Sequence, residues 1–172
     1  MKHLICTMAV LLVLCIPVQA REIIRDGVKS GVAKVPACVA QRFSAEGRTV
    51  HVTEGRIEVK GTLIREPYNV IGFCYVNGDI YISTHWDYSD AYFEYVVLHE
   101  FGHYLEYSTR SAGWTEPPPI EERELFADRF VEYILHPDEL RVNDPAGYAD
   151  IEKRLHEMKS DLEEINYEQE LG

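Results

Sequence analysis

Basic residues are in short supply: 17 Lys and Arg stand against 29 Asp and Glu in 172 residues, a formal net charge of −12. A surface that negative repels phosphate backbones and anionic lipid, so nucleic acid is not an expected partner. Cysteine is scarce as well, with four residues, too few for a disulfide framework. After the first twenty residues no apolar run is long enough to cross a bilayer, and neither an internal repeat nor a low-complexity tract is present. With 46% hydrophobic residues the chain can bury one sizeable core and not two. A single domain over 21–172 is expected.

The one long apolar run opens the chain. MKHLICTMAVLLVLCIPVQA has a basic start at Lys2, an apolar stretch from Leu4 to Ile16, then Pro17 and the small-residue ending Val18-Gln19-Ala20. This is the form of a secretory signal peptide over 1–20, cleaved after Ala20. The run is shorter than the roughly 18 to 20 residues a span needs, so no stable membrane insertion is expected after cleavage. The expected location is secreted or periplasmic. Cleavage removes Lys2 and no acid, and takes Cys6 and Cys15 with it. Cys38 and Cys74 then remain as the only pair in an oxidising compartment, and are expected to be joined. Two buried free thiols are the alternative.

Along the remaining chain the patterning changes once. Pro36 opens a short helix in PACVAQRFSAEG, ended by Gly47. Strand candidates follow at 49–52, 56–59 and 69–76, and Asn77-Gly78 is a hairpin signal leading to a returning strand, Asp79 to Ser83. From Ser89 the apolar and aromatic residues recur at three and four, with Ser89 or Asp90 as N-cap, which predicts a helix of about five turns. Gly113 and Pro117-Pro118-Pro119 predict a loop over 108–121; a second helix is expected from about Ile120 to Leu135, and a last one from about Pro145 to Asn166. The last helix carries the stripe Tyr148, Ile151, Leu155, Met158, Leu162 and Ile165, which core packing explains better than a partner helix. The fold class is therefore α+β.

The five-turn helix contains VVLHEFGHYLE. Residues four apart share a helix face, so His99 and His103 can each point a nitrogen at one ion. Glu100 is rotated by about 100 degrees and flanks that ion instead of binding it. Zinc lowers the pKa of a coordinated water, and a neighbouring carboxylate can take the proton and pass it to a leaving amine. Chance gives such a pentapeptide in roughly 3% of shuffled chains of this composition, so an accidental histidine pair is the weaker reading. A catalytic site needs a third protein ligand. A glutamate with an aspartate four residues on would supply the ligand and a carboxylate to hold a histidine's other nitrogen. That pattern occurs as Glu22 with Asp26, Glu124 with Asp128, and Glu157 with Asp161. Glu124 is set among Leu125, Phe126, Ala127, Phe130 and Val131, where a carboxylate needs a cation and the small Ala127 lets another helix come close. A helix N-terminal acid favoured by the dipole is the alternative for Glu124.

HEFGH followed by Glu124 in ELFADRF resembles the gluzincin branch of the zincin metallopeptidases. Within it the chain is similar to the family of the anthrax lethal factor catalytic domain and the Pro-Pro endopeptidases, through Glu124, Phe126, Ala127, Asp128 and Phe130. It is similar also to the minimal gluzincins of the ImmA/IrrE type, through the histidine-to-glutamate spacing. The resemblance covers about 70–140. It implies a compact zincin-like fold, with a small mixed sheet on an active-site helix, a second zinc-ligand helix and a C-terminal amphipathic helix. It implies one zinc per chain on His99, His103 and Glu124, Glu100 as general base, Asp128 orienting His99, and a peptide or protein substrate. It also implies that the strand Asp79 to Ser83 is the sheet edge on which the peptide lies, with Tyr81 either a pocket residue or an ordinary strand tyrosine. The first group carries a tyrosine seven residues before the glutamate ligand, where this chain has Pro117; Tyr107, Trp114 and His136 are the substitutes at hand. The resulting expectation is a secreted zinc endopeptidase, and the alternative is a secreted zinc-binding interaction protein on the same scaffold without turnover.

Overall fold

A computed structural model describes residues 25–59, 68–75, 77–110 and 118–171. The expected signal peptide, Glu22, Trp114 and Pro117 lie outside them. The described residues form, in chain order, α1 (Asp26–Lys34), α2 (Ala37–Ala45), β1 (Val50–Thr53), β2 (Ile57–Val59), β3 (Tyr68–Val70), β4 (Gly72–Cys74), β5 (Ile80–Ser83), α3 (Asp90–Arg110), α4 (Ile120–Leu135), α5 (Pro137–Asn143) and α6 (Pro145–Leu171). The fold is α+β and mostly helical, with little sheet.

Helix α3 is the axis. Its start is set by Ser89, whose hydroxyl accepts the Tyr92 N–H at 3.3 Å. Asp90 does a different job from the one expected: its carboxylate accepts the N–H of Gly27 at 3.1 Å and so caps α1. Phe93, Val97, Leu98, Phe101, Tyr104 and Leu105 are fully buried, because α1, α4, α6 and the sheet surround the helix. Phe43 of α2 meets Phe101 and Tyr104 with ring centroids at 5.0 Å in each case. The stripe of α6 joins this core through Ile151 and Met158. No helix among the described residues is long and apolar enough to cross a membrane.

The larger sheet has the order β1-β5-β4, with β1 parallel and β4 antiparallel to β5. Strand β5 is therefore central and not the expected edge. Val50 pairs with Ile80 from one side and Cys74 from the other, so both flanks of β5 are occupied. Alternation turns Ile80 and Ile82 into the core. Tyr81 points to the opposite face, stacked on His51 at 4.4 Å. The expected strand over 69–76 is two strands broken at Ile71: β3 pairs with β2 in a separate antiparallel ribbon.

The expected Cys38–Cys74 bridge is not found in this structure, where both cysteines are free. Cys38 lies on α2 within reach of the Lys159 charge, whereas Cys74 lies on β4 within reach of Glu100, Arg123 and Asp79. The two thiols thus sit among different neighbours. Burial pushes both thiols up from the ordinary cysteine range.

Candidate metal centre

Two helices meet at a point where neither has a side chain in the way. Gly102 of α3 lies against Ala127 of α4: a Cβ at Gly102 would stand 2.8 Å from the Ala127 Cα and 3.1 Å from its carbonyl oxygen. On α3, Gly102 falls between His99 and His103; on α4, Ala127 falls between Glu124 and Asp128. Close approach at the small residues therefore brings the four polar side chains together. Gly102→Ala is expected to push α4 away, costing about 1–3 kcal/mol by overpacking and weakening metal binding; thermal unfolding and a metal titration measure the two effects.

The Glu124 carboxylate lies 3.2 Å from His99 Nε2 and 3.5 Å from His103 Nε2. The two distances run to different carboxylate oxygens, Oε2 and Oε1. Each of the three residues offers one ligand atom, all within 4.8 Å of one another, and two imidazole nitrogens with a carboxylate oxygen are a zinc donor set. His99, His103 and Glu124 thus fit the ion. Glu157, one of the competing carboxylates, stands on α6 and pairs with Lys153 at 3.6 Å.

The electrostatics of the cluster suit a cation. Burial alone would pull His99 down, but the Glu124 hydrogen bond and the charges of Glu100, Asp128 and Glu124 together outweigh it and raise its pKa. Burial, aided by the His99 charge, lowers His103 to about 4, which leaves its imidazole neutral and able to coordinate. The hydrogen bond to His99 holds Glu124 below the ordinary carboxylate range. Asp128 accepts a hydrogen bond from His99 Nδ1 at 2.9 Å, as expected of a group that orients that ring. His103 Nδ1 is buried with no hydrogen-bond partner among the described residues, so only one of the two rings is held in this way.

Glu100 is 6% exposed, and burial pushes its carboxyl up to about 7. It lies under β4: the Cys74 backbone N–H hydrogen-bonds its carboxylate, and a Cβ at Gly72 would stand 2.4 Å from its Oε1. Only glycine leaves room for that carboxylate. Of the two candidate substitutes among the described residues, Tyr107 lies nearer, its ring 6.4 Å from that of His103 and covered by the Arg123 guanidinium at 5.0 Å. His136 caps the far end of α4, about 18 Å along the helix from Glu124. Sequence reasoning missed Tyr95, whose hydroxyl donates to the same Asp128 oxygen as His99 Nδ1. The signal available was its spacing, four residues before His99 on one helix face.

No protein-family model and no curated protein matches the chain, and the gluzincin resemblance rests on the motif residues alone.

Proposed function

We propose that the chain is a secreted zinc-dependent endopeptidase of gluzincin type. The observation that carries this reading is the convergence of His99, His103 and Glu124 from two helices on one point, with the buried Glu100 carboxylate beside them. When bound, zinc supplies a Lewis acid and lowers the pKa of a coordinated water. His99 and His103 present Nε2 and Glu124 its carboxylate. Asp128 accepts a hydrogen bond from His99 Nδ1–H and keeps the Nε2 lone pair turned inward. Glu100 takes a proton from the attacking water and returns it to the leaving amine.

Among the described residues, the sheet edge close to Glu100 is that of β4. Ile71 and Tyr75 spend backbone groups on the β5 side, through the Ser83 N–H to the Ile71 carbonyl at 2.7 Å and the Tyr75 N–H to the Asp79 carbonyl at 2.9 Å. Alternation turns the Gly72 groups and the Cys74 carbonyl the other way, where an extended substrate pairs with them, while the Cys74 N–H stays on Glu100. Gly72→Ala is expected to displace Glu100 and lower kcat with zinc content unchanged; steady-state kinetics beside elemental analysis test this.

The experiment for the reading as a whole is elemental analysis of the mature protein, followed by cleavage-site profiling of a diverse peptide mixture with and without chelator. About one zinc per chain and chelator-sensitive cleavage are expected. Zinc without cleavage would favour the binding protein without turnover, the reading that Pro117 in place of tyrosine supports. Absence of tightly held metal would end both.

A further inference from the structure

We infer that Tyr95 is a positioning residue for the metal centre: its phenol O–H holds the Asp128 carboxylate against His99 and thereby sets which nitrogen of His99 carries the proton. The inference rests on the proposed zinc site for its consequence, but its first step belongs to the protein alone. Asp128 sits on α4 with its side chain 50% exposed, so packing does little to hold it. Among the described residues its hydrogen-bond partners are His99 and Tyr95, and both reach the same oxygen, Oδ1. Without the phenol, the carboxylate is free to turn towards water and give up His99 Nδ1.

Tyr95 is placed for this by the helix. It precedes His99 by four residues, one turn away on the same face of α3, and the two rings stack with centroids at 5.9 Å and planes 29° apart. The ring therefore limits how far the imidazole tips, and the hydroxyl fixes the acceptor the imidazole donates to. A proton held on Nδ1 leaves the Nε2 lone pair for the ion. His103 lacks an equivalent partner for its Nδ1 among the described residues, so the orientation of the pair depends on the His99 side.

Tyr95→Phe keeps the ring and removes only the hydroxyl. In the zinc-free protein, where the Glu124 carboxylate competes for a proton on His99 Nε2 at 3.2 Å, nitrogen NMR of labelled histidine above the titration range of His99 is expected to show a larger share of the Nδ1–H tautomer for the parent than for Tyr95→Phe. A tautomer unchanged by the substitution would overturn the inference. In zinc competition against a chelator, Tyr95→Phe is expected to weaken binding about 10-fold, the low end for loss of a group that orients a ligand. In an Asp128→Ala background the same substitution should cost nothing further, because the hydroxyl acts through that carboxylate. Losses that multiply would show that Tyr95 acts by another route and would also overturn it. A parent protein that binds no zinc refutes the proposed function, and the tautomer measurement still decides the role of Tyr95.

Discussion

Glu100→Gln is expected to retain zinc and to lose about 10²- to 10⁴-fold in kcat, the range associated with removal of a positioned proton-transfer group. The substitution is nearly isosteric in a place that tolerates little else: the side chain is buried under Gly72, and the amide oxygen can still accept the Cys74 N–H. What the amide cannot do is accept a proton. Metal content should not change, because Glu100 is rotated about 100 degrees from the face that carries His99 and His103. Steady-state kinetics and elemental analysis on the same preparation test both halves. Hydrolysis at the parental rate would remove Glu100 from the mechanism. Loss of zinc would make it a structural support of the site instead.

Glu124→Ala is expected to lower zinc affinity by about 10²- to 10³-fold. Zinc sites with four protein ligands are worth roughly 10–16 kcal/mol in total, so one ligand carries about 3–4 kcal/mol. Asp128→Ala leaves all three ligands and removes only the partner of His99 Nδ1, for which a 10- to 100-fold loss is expected. Glu157→Ala should change nothing measurable, since that carboxylate is exposed on α6 beside Lys153. Chelator competition across the three variants tests the order. Metal lost from Glu157→Ala and kept by Glu124→Ala would reassign the third ligand.

Much of the local architecture was legible along the chain. The Ser89 cap, the three-and-four spacing from Tyr92 to His103 and the Asn77-Gly78 hairpin correspond to α3 and the β4–β5 turn. Helix α4 runs from Ile120 to Leu135 as the flanking prolines suggested. These signals act within a few residues of themselves. Helix α1 carries no such signal, since Gly27 and Gly31 disfavour a helix by propensity. They are there for close packing instead: a Cβ at Gly31 would stand 2.7 Å from the Val97 Cβ of α3. Helix α5 was hidden for another reason, since Pro137 ends one helix and begins the next.

By itself, then, the sequence determined that His99 and His103 share a helix face with Glu100 beside them, because helical spacing is a local property. It also offered three carboxylate pairs for the proposed third ligand without deciding among them on geometry. The tertiary structure brought Glu124 and Asp128 to the histidines, through the Gly102–Ala127 contact between α3 and α4. It also made β5 central and β4 the edge beside Glu100, since Val50 pairs with Ile80 thirty residues further along. It placed Cys38 and Cys74 among different neighbours and put the Tyr95 hydroxyl on Asp128. Each of these depends on which surfaces are buried against which, and contacts between residues distant in the chain leave no periodicity in it.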